Sequence, residues 1–226
     1  MKLRGASVLT LILGLAVAPV AAQEAGAEHA GHEHHLQVVA EGAAKRPEAL
    51  EALRVPDVAV VDSDGRPLRF YRDLVAGRVV AMNFVFTTCT TVCPPMGANF
   101  AKLQALLGER AGRDVQLISV SVDPLTDTPA RMKEWGAKFG RREGWTLVTG
   151  ERAEITKLLK TLGVFSADKS DHSPLVLLGD DGQHRWTRTY GLTPPAKLAE
   201  LLAQLGRPQP AGPDSQNAPT PTGEPR

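Results

Sequence analysis

Cysteine is almost absent from this chain: its 226 residues hold two, Cys89 and Cys93, four positions apart. Small domains in oxidising compartments are usually held by several bridges. One bridge closing so short a loop would restrict the unfolded chain less than a long-range one. Stability is therefore a poor reason for the pair, and chemistry a better one. Aromatic residues are scarce, at 5%, and neither sign of charge dominates, with 26 Lys and Arg against 25 Asp and Glu for a net charge of +1. Such a balance lacks the basic footprint of a nucleic-acid or polyanion binder. The apolar run Val8 to Val17 falls short of the roughly 20 residues that a spanning helix wants.

What is present begins with an export pattern over residues 1–22. Lys2 and Arg4 precede the apolar run, and Val20-Ala21-Ala22 closes it with a cut expected before Gln23. No cysteine lies near that cut, which excludes a lipid anchor on an N-terminal cysteine. The chain is expected to be exported, periplasmic in a Gram-negative cell, and either soluble or tethered to the inner membrane by the uncleaved segment. Loss of Lys2 and Arg4 leaves 24 of the 26 basic residues against 25 acidic ones, a net −1.

Residues 23–54 read as a linker rich in Ala, Glu, Gly and His, with a helical turn expected around Pro47 to Leu53. His29, His32, His34 and His35 crowd into seven positions of it. Such a tract either collects Cu(II), Zn(II) or Ni(II) loosely or is a soluble tether. Residues 206–226 include six prolines and bury too little to offset their ordering entropy, which predicts disorder. Residues 55–205 remain as a single folded domain.

Within that domain strands and helices alternate. Val58 to Val61 and Leu68 to Tyr71 flank Ser63-Asp64-Gly65 as an N-terminal hairpin. Val79 to Phe86 and Val115 to Val122 are apolar runs expected of strands covered on both faces. Met96 to Leu107 has helical spacing of Phe100, Leu103, Leu106 and Leu107. Thr128 to Phe139 is a helix with Asp127 expected as N-cap and Pro129 in its first turn. Glu151 to Leu162 is a further helix, Leu175 to Leu178 and Arg185 to Tyr190 pair across Asp181-Gly182, and Pro195 to Leu205 closes the domain. The order predicts an α/β, thioredoxin-like sandwich: a central mixed sheet flanked by helices, entered through the hairpin.

The two cysteines fall where a buried strand gives way to a helix, in Phe86-Thr87-Thr88-Cys89-Thr90-Thr91-Val92-Cys93-Pro94-Pro95. Pro94 and Pro95 suit the first turn of that helix, which puts Cys93 near its N-cap. The helix terminus lowers a thiol pKa, so at least one sulfur is expected to be partly thiolate. Three residues separate the sulfurs, where redox pairs of the thioredoxin type have two. The longer loop still closes a disulfide between Cys89 and Cys93, and it also lets both sulfurs face one ion. Two thiolates favour Cu(I) over hard cations, with Zn(II) as competitor. His172, just ahead of the strand that begins at Leu175, lies on the loop that faces the cysteine loop in such folds, and imidazole suits copper in either oxidation state. His184, beside the second hairpin turn, is expected only to be exposed.

These residues carry a resemblance. The chain resembles the SCO1/SenC family of copper proteins that serve cytochrome oxidase assembly. The matching pieces are Phe86-Thr87-Thr88-Cys89 through Cys93-Pro94, Ser119 to Pro124 with Asp127-Thr128-Pro129, Trp145 to Gly150, and Asp171-His172-Ser173. The resemblance implies copper ligation by Cys89, Cys93 and His172. Its implied partners are a copper-receiving oxidase subunit and other periplasmic copper chaperones. Asp123 and Asp127, with Asp171, are candidates to orient the ligands or a partner surface; the plainer role is turn formation by Asp123 and capping by Asp127. Pro174 departs from the family pattern and is similar to the cis-proline position of redox thioredoxins. Three functions therefore compete: a copper chaperone, a thiol-disulfide oxidoreductase that keeps a recipient's cysteines reduced, and a copper or redox sensor. A chaperone needs His172, whereas a plain dithiol reductase does not. A peroxidase fits poorly, since no lone peroxidatic cysteine sits in an activating motif of its own.

Overall fold

Strand and helix formation in this chain is set by which apolar runs can be covered on two faces. The computed structural model describes residues 47–50, 53–171 and 173–207. The export segment, the histidine tract and most of the proline-rich tail lie outside the described residues, as does His172. The expected hairpin is β2 (Ala59–Asp62) with β3 (Pro67–Arg69), paired antiparallel. Buried Asp62 fixes the turn by accepting the backbone N–H groups of Asp64 and Arg66, each at 2.9 Å. The second strand stops short of Tyr71. Phe70–Val75 winds into a π-helical turn, which puts Phe70, Leu74 and Val75 into the core.

The centre of the sheet is β4 (Val79–Val85), β5 (Val115–Ser121) and β6 (Trp145–Thr149), parallel to one another. After them come β7 (Leu175–Asp180), antiparallel to β4, and β8 (Arg185–Tyr190), antiparallel to β7. β1 (Glu48–Leu50) adds to the outer edge of β8. The helical turn expected around Pro47 to Leu53 is thus replaced at Glu48–Leu50 by a strand. A segment this short cannot repay helix nucleation, while β8 offers an open row of backbone groups. Among the described residues the sheet has eight strands in the order β1-β8-β7-β4-β5-β6-β2-β3.

Helices cover both faces. α3 (Arg152–Thr161) and the π-turn pack on Met82, Phe84, Ile118 and Val120 through Ile155, Leu158 and Phe70. The opposite face carries α1 (Cys93–Leu107), α2 (Pro129–Ala137) and α4 (Pro195–Leu205), which close over Val85, Leu117, Leu147 and Val176. Trp145 anchors that layer, 5.8 Å from the Phe100 ring and 6.4 Å from Trp135. Each such side chain contributes about 1.5–3 kcal/mol by leaving water. The helix–sheet–helix sandwich with a mixed central sheet agrees with the expectation.

This topology gathers one edge of the sheet. β4 and β5 are parallel, so their carboxyl ends lie side by side at Val85 and Ser121. β7 runs against β4, with Asn83 opposite Val176, so the start of β7 reaches the same edge. Leu175 pairs with Tyr190, which brings the end of β8 there as well. The cysteine loop, the aspartate turn and the segment leading into Leu175 all leave the sheet at this edge. Crevices outside the carboxyl ends of parallel strands are where open α/β sheets bind ligands.

Candidate metal centre

The cysteine loop opens as β4 ends. Cys89 N donates to Phe86 O at 3.1 Å, which turns the chain, and α1 begins at Cys93 with Val92 as its N-cap. Cys93 is therefore the first helical residue, one position later than the sequence placed it, and its own N–H is one of the helix's unpaired donors. That N–H points at Cys89 Sγ, at 3.3 Å, and Thr91 Oγ1 lies 3.7 Å from the same sulfur. Cys89 is partly exposed, whereas Cys93 is fully buried beneath the helix; both are free thiols.

The two sulfurs are electrostatically unequal. Burial works to raise the Cys89 thiol, but hydrogen bonds from the Cys93 thiol, the Cys93 N–H and Thr91 outweigh it and hold Cys89 below its ordinary value. Burial pushes the Cys93 thiol far up, reinforced by its hydrogen bond to Cys89 and by the charges of Cys89 and Asp127. The helix terminus thus favours a thiolate on the exposed sulfur.

Asp127 holds this loop rather than capping a helix. The α2 cap is Thr128, whose hydroxyl accepts Arg131 N at 3.3 Å. Asp127 is buried at 0% exposure and accepts three hydrogen bonds: from Thr87 N at 3.1 Å, Thr87 Oγ1 at 2.6 Å and Ser121 Oγ at 2.6 Å. One carboxylate therefore ties the cysteine loop to the end of β5. Asp123 makes the turn as expected, its carbonyl accepting the N–H groups of Thr126 and Asp127. Its carboxylate also takes up Lys169 Nζ at 2.5 Å.

His172 is bracketed by described residues. On its amino side Lys169–Asp171 forms a 3-10 turn, with Lys169 bound to Asp123 and its ammonium 5.4 Å from the Phe86 ring centroid. Asp171 is exposed on that turn. On the carboxyl side Gly191 N donates to Pro174 O at 2.9 Å. A Cβ on Gly191 would sit 2.9 Å from Met96 Sδ and 3.0 Å from the Pro174 carbonyl carbon. Pro174 thus packs beside the first turn of α1, and the bond before it is trans, since no peptide bond among the described residues is cis. Among those residues no three His, Cys, Asp or Glu side chains are grouped to hold a metal ion; the described donor pair is Cys89 and Cys93. A groove of about 290 Å³ along Val60, Leu68, Arg69 and Glu151 has neither Cys89 nor Cys93 in its lining.

Residues 52–206 match the family model described as SCO1/SenC. The chain belongs to the SCO1/SenC family. A SCO1 protein homolog of Bacillus subtilis is 35% identical over 116 residues, a stretch that covers 47% of this chain and 60% of that relative. The chain thus spans less than two thirds of that relative's length. Bradyrhizobium japonicum ScoI, solved with copper bound, superposes with a TM-score of 0.56 at 25% identity, covering 66% of this chain and 96% of that one. BsSco, a member of the Sco family of cytochrome c oxidase assembly proteins in which a disulfide switch was identified, gives 0.57 at 28% identity, covering 71% and 96%.

Sequence reasoning assigned no role to Thr87, Ser121, Lys169 or Gly191 around this SCO1/SenC site. Thr87 and Ser121 stood within recognised motifs as unremarked hydroxyls. The signal that links them, a shared buried carboxylate, exists only once β4 and β5 are side by side. Lys169 is one basic residue among 26, and nothing local distinguishes it.

Proposed function

We propose that this chain carries copper as cargo on Cys89, Cys93 and His172 and passes it to a cytochrome c oxidase subunit outside the cytoplasm. Residues 1–22 direct export in this reading, and residues 55–205 form the carrier. The observation that bears most weight is the meeting of three segments at one sheet edge. The thiol pair lies on the first, Asp127 and Asp123 pin the second, and both flanks of His172 are anchored within a few residues of the other two. Two thiolates from one loop suit Cu(I), and a third donor from the facing loop suits Cu(II), which wants more ligands. The copper-bound ScoI structure and the oxidase-assembly role of BsSco support cargo and recipient. Cys89, partly exposed, is the sulfur that an incoming recipient ligand would meet first. The test is anaerobic titration of the reduced full-length chain with copper, followed by X-ray absorption. One copper per chain with two sulfur neighbours and one nitrogen is expected; a sulfur-free shell would refute the reading.

A second reading draws on the inequality of the cysteines. An exposed thiol receiving a helix N–H, with a buried partner behind it, is the arrangement of an attacking and a resolving sulfur. In this reading the reduced pair donates two electrons to a disulfide on the recipient subunit, whose two sulfurs become thiols while Cys89 and Cys93 become joined. Reduction of a peptide disulfide by the full-length chain, at a rate that His172→Ala leaves unchanged, would favour this reading.

A further inference from the structure

From Gly163 to Pro174 the described residues are exposed or half-buried, and Phe165 is 43% exposed. A donor on a surface segment reaches a fixed metal only at an ordering cost in backbone entropy. On each flank a tie opposes that cost. The Pro174–Gly191–Met96 packing is part of the sheet edge. The other tie, on the amino side, is polar: Lys169 Nζ meets Asp123 Oδ2 at 2.5 Å and lies 5.4 Å from the Phe86 ring centroid.

Asp123 and Phe86, which Lys169 meets, belong to the framework of the thiol pair. Phe86 O accepts the Cys89 N–H, so the ring that faces the ammonium sits on the residue that starts the cysteine turn. Asp123 N donates to Ser121 Oγ at 3.0 Å, and that hydroxyl in turn donates to Asp127, which holds Thr87. The Asp123 side chain is only 12% exposed and that of Lys169 is 42% exposed, so the pair is half shielded from water. Burial would raise the Asp123 carboxyl, yet hydrogen bonds from Lys169 and Thr126 and the charge of Lys169 keep it below the ordinary range.

We propose that Lys169 and Asp123 are positioning residues for the Cu(II) state: their ion pair, backed by the Phe86 ring, clasps the Lys169–Asp171 turn to the cysteine loop so that the donor on this segment reaches a metal held by the two thiolates. This rests on the copper-carrier reading given above. Cu(I), satisfied by two thiolates, gains little from the clasp, and Cu(II), which needs the further donor, gains much. The clasp therefore sets the relative affinity for the two oxidation states without touching the metal.

The test uses reduced full-length chain with Cu(II) added, its thiolate-to-copper charge-transfer bands and paramagnetic spectrum as one readout, and competition with a Cu(I) chelator as the other. Lys169→Gln should weaken Cu(II) binding by about threefold to fivefold, the upper end for an ion pair of this exposure, and alter the spectrum, while Cu(I) affinity stays within about twofold. Lys169→Arg should restore the wild-type spectrum, and Asp123→Asn should mimic Lys169→Gln. Added salt should weaken Cu(II) binding by wild type more than by Lys169→Gln. Lys169 is a surface residue, so a folding defect in Asp123→Asn leaves the Lys169 comparison decisive. His172→Ala separates the two levels of the argument. If it abolishes the Cu(II) bands while Lys169→Gln leaves bands and affinity at wild-type values, the clasp is refuted and the carrier reading stands. If His172→Ala leaves the bands unchanged, the carrier reading falls and the clasp falls with it.

Discussion

At the scale of single residues, Asp127 and the unequal cysteines govern the site. Asp127 accepts from Thr87 twice and from Ser121 once while wholly buried. Asp127→Ala leaves those donors without a partner, and stability should fall by about 2–4 kcal/mol on the scale of buried donors left unsatisfied. Asp127→Asn keeps an acceptor for Thr87 and can donate to Ser121, so its loss should be clearly smaller. Urea unfolding of the two variants measures this, and equal, negligible losses would show that the carboxylate does not hold the loop. Cys89, half-exposed and hydrogen-bonded by the Cys93 N–H, should be alkylated well before Cys93 when reduced protein is treated with iodoacetamide. Peptide mass mapping at short times would contradict this by finding Cys93 modified first. The residue types at the site were legible from sequence because thiols, imidazole and paired carboxylates are rare and their chemistry is specific. Asp127 was singled out with two jobs open, and the helix cap is the one the structure removes. A carboxylate just before Thr128-Pro129 looks like a helix cap, and only the proximity of Thr87, forty residues earlier, shows otherwise.

At the scale of elements, register decides what the site can contain. Apolar runs betrayed β4 and β5, since strands covered on both faces need them. β6 was not read as a strand, because Trp145-Thr146-Leu147-Val148-Thr149 is brief and its only cue was a family motif. β1 was missed for a related reason: three residues have no periodicity to read, and what makes Glu48–Leu50 a strand is the free edge of β8. Their contact has a consequence for truncation. Thr187 Oγ1 donates to Glu48 O at 2.9 Å, and Arg188 pairs with the Glu48 carboxylate. Deleting residues 23–46 should leave both the fold and the tight copper site unchanged. Deleting 23–54 removes β1 and should lower the melting temperature while keeping the site, because β1 lies three strands from β4 in the sheet order. Loss of tight copper binding in the shorter deletion would mean that the histidine tract supplies a ligand. Gly191 is the other element-scale test. An added methyl meets Met96 Sδ at 2.9 Å and the Pro174 carbonyl carbon at 3.0 Å. Gly191→Ala should therefore cost about 1–3 kcal/mol by overpacking and shift the Cu(II) spectrum by moving Pro174.

For the whole molecule, the reading of one carrier domain between an export segment and a tail rests on residues 1–46 and 208–226, which lie outside the described residues. Among the described residues no helix is long and apolar enough to cross a membrane. Layer order was legible from the alternation of strands and helices, and the meeting of three segments at one edge was not. That meeting depends on β7 running antiparallel to β4, a pairing that local sequence does not specify. Surface charge sets the acid response. The hydrogen bond from Lys133 to Asp64, at 2.9 Å, holds that carboxyl below its ordinary value against a small opposing effect of burial. A carboxylate lowered in the folded state adds stability that is complete above the unfolded-state value of about 3.9. That stability is lost as pH falls through the folded-state value, since the unfolded chain takes up the proton first. The urea midpoint should therefore decline as pH drops below about 4, less steeply in Lys133→Gln. An identical decline in wild type and Lys133→Gln would remove that pair from the account.

The central claim, that Cys89, Cys93 and His172 together hold the metal, is tested most directly by the visible charge-transfer bands of the Cu(II) complex. Cys89→Ser and Cys93→Ser each exchange a soft, charged donor for a neutral hydroxyl, and copper binding should fall to background in both. His172→Ala retains two thiolates, so Cu(I) should still bind nearly as well, while the Cu(II) bands should vanish or move markedly. Bands that persist unchanged in His172→Ala would contradict the ligand set and put the dithiol reductase reading ahead.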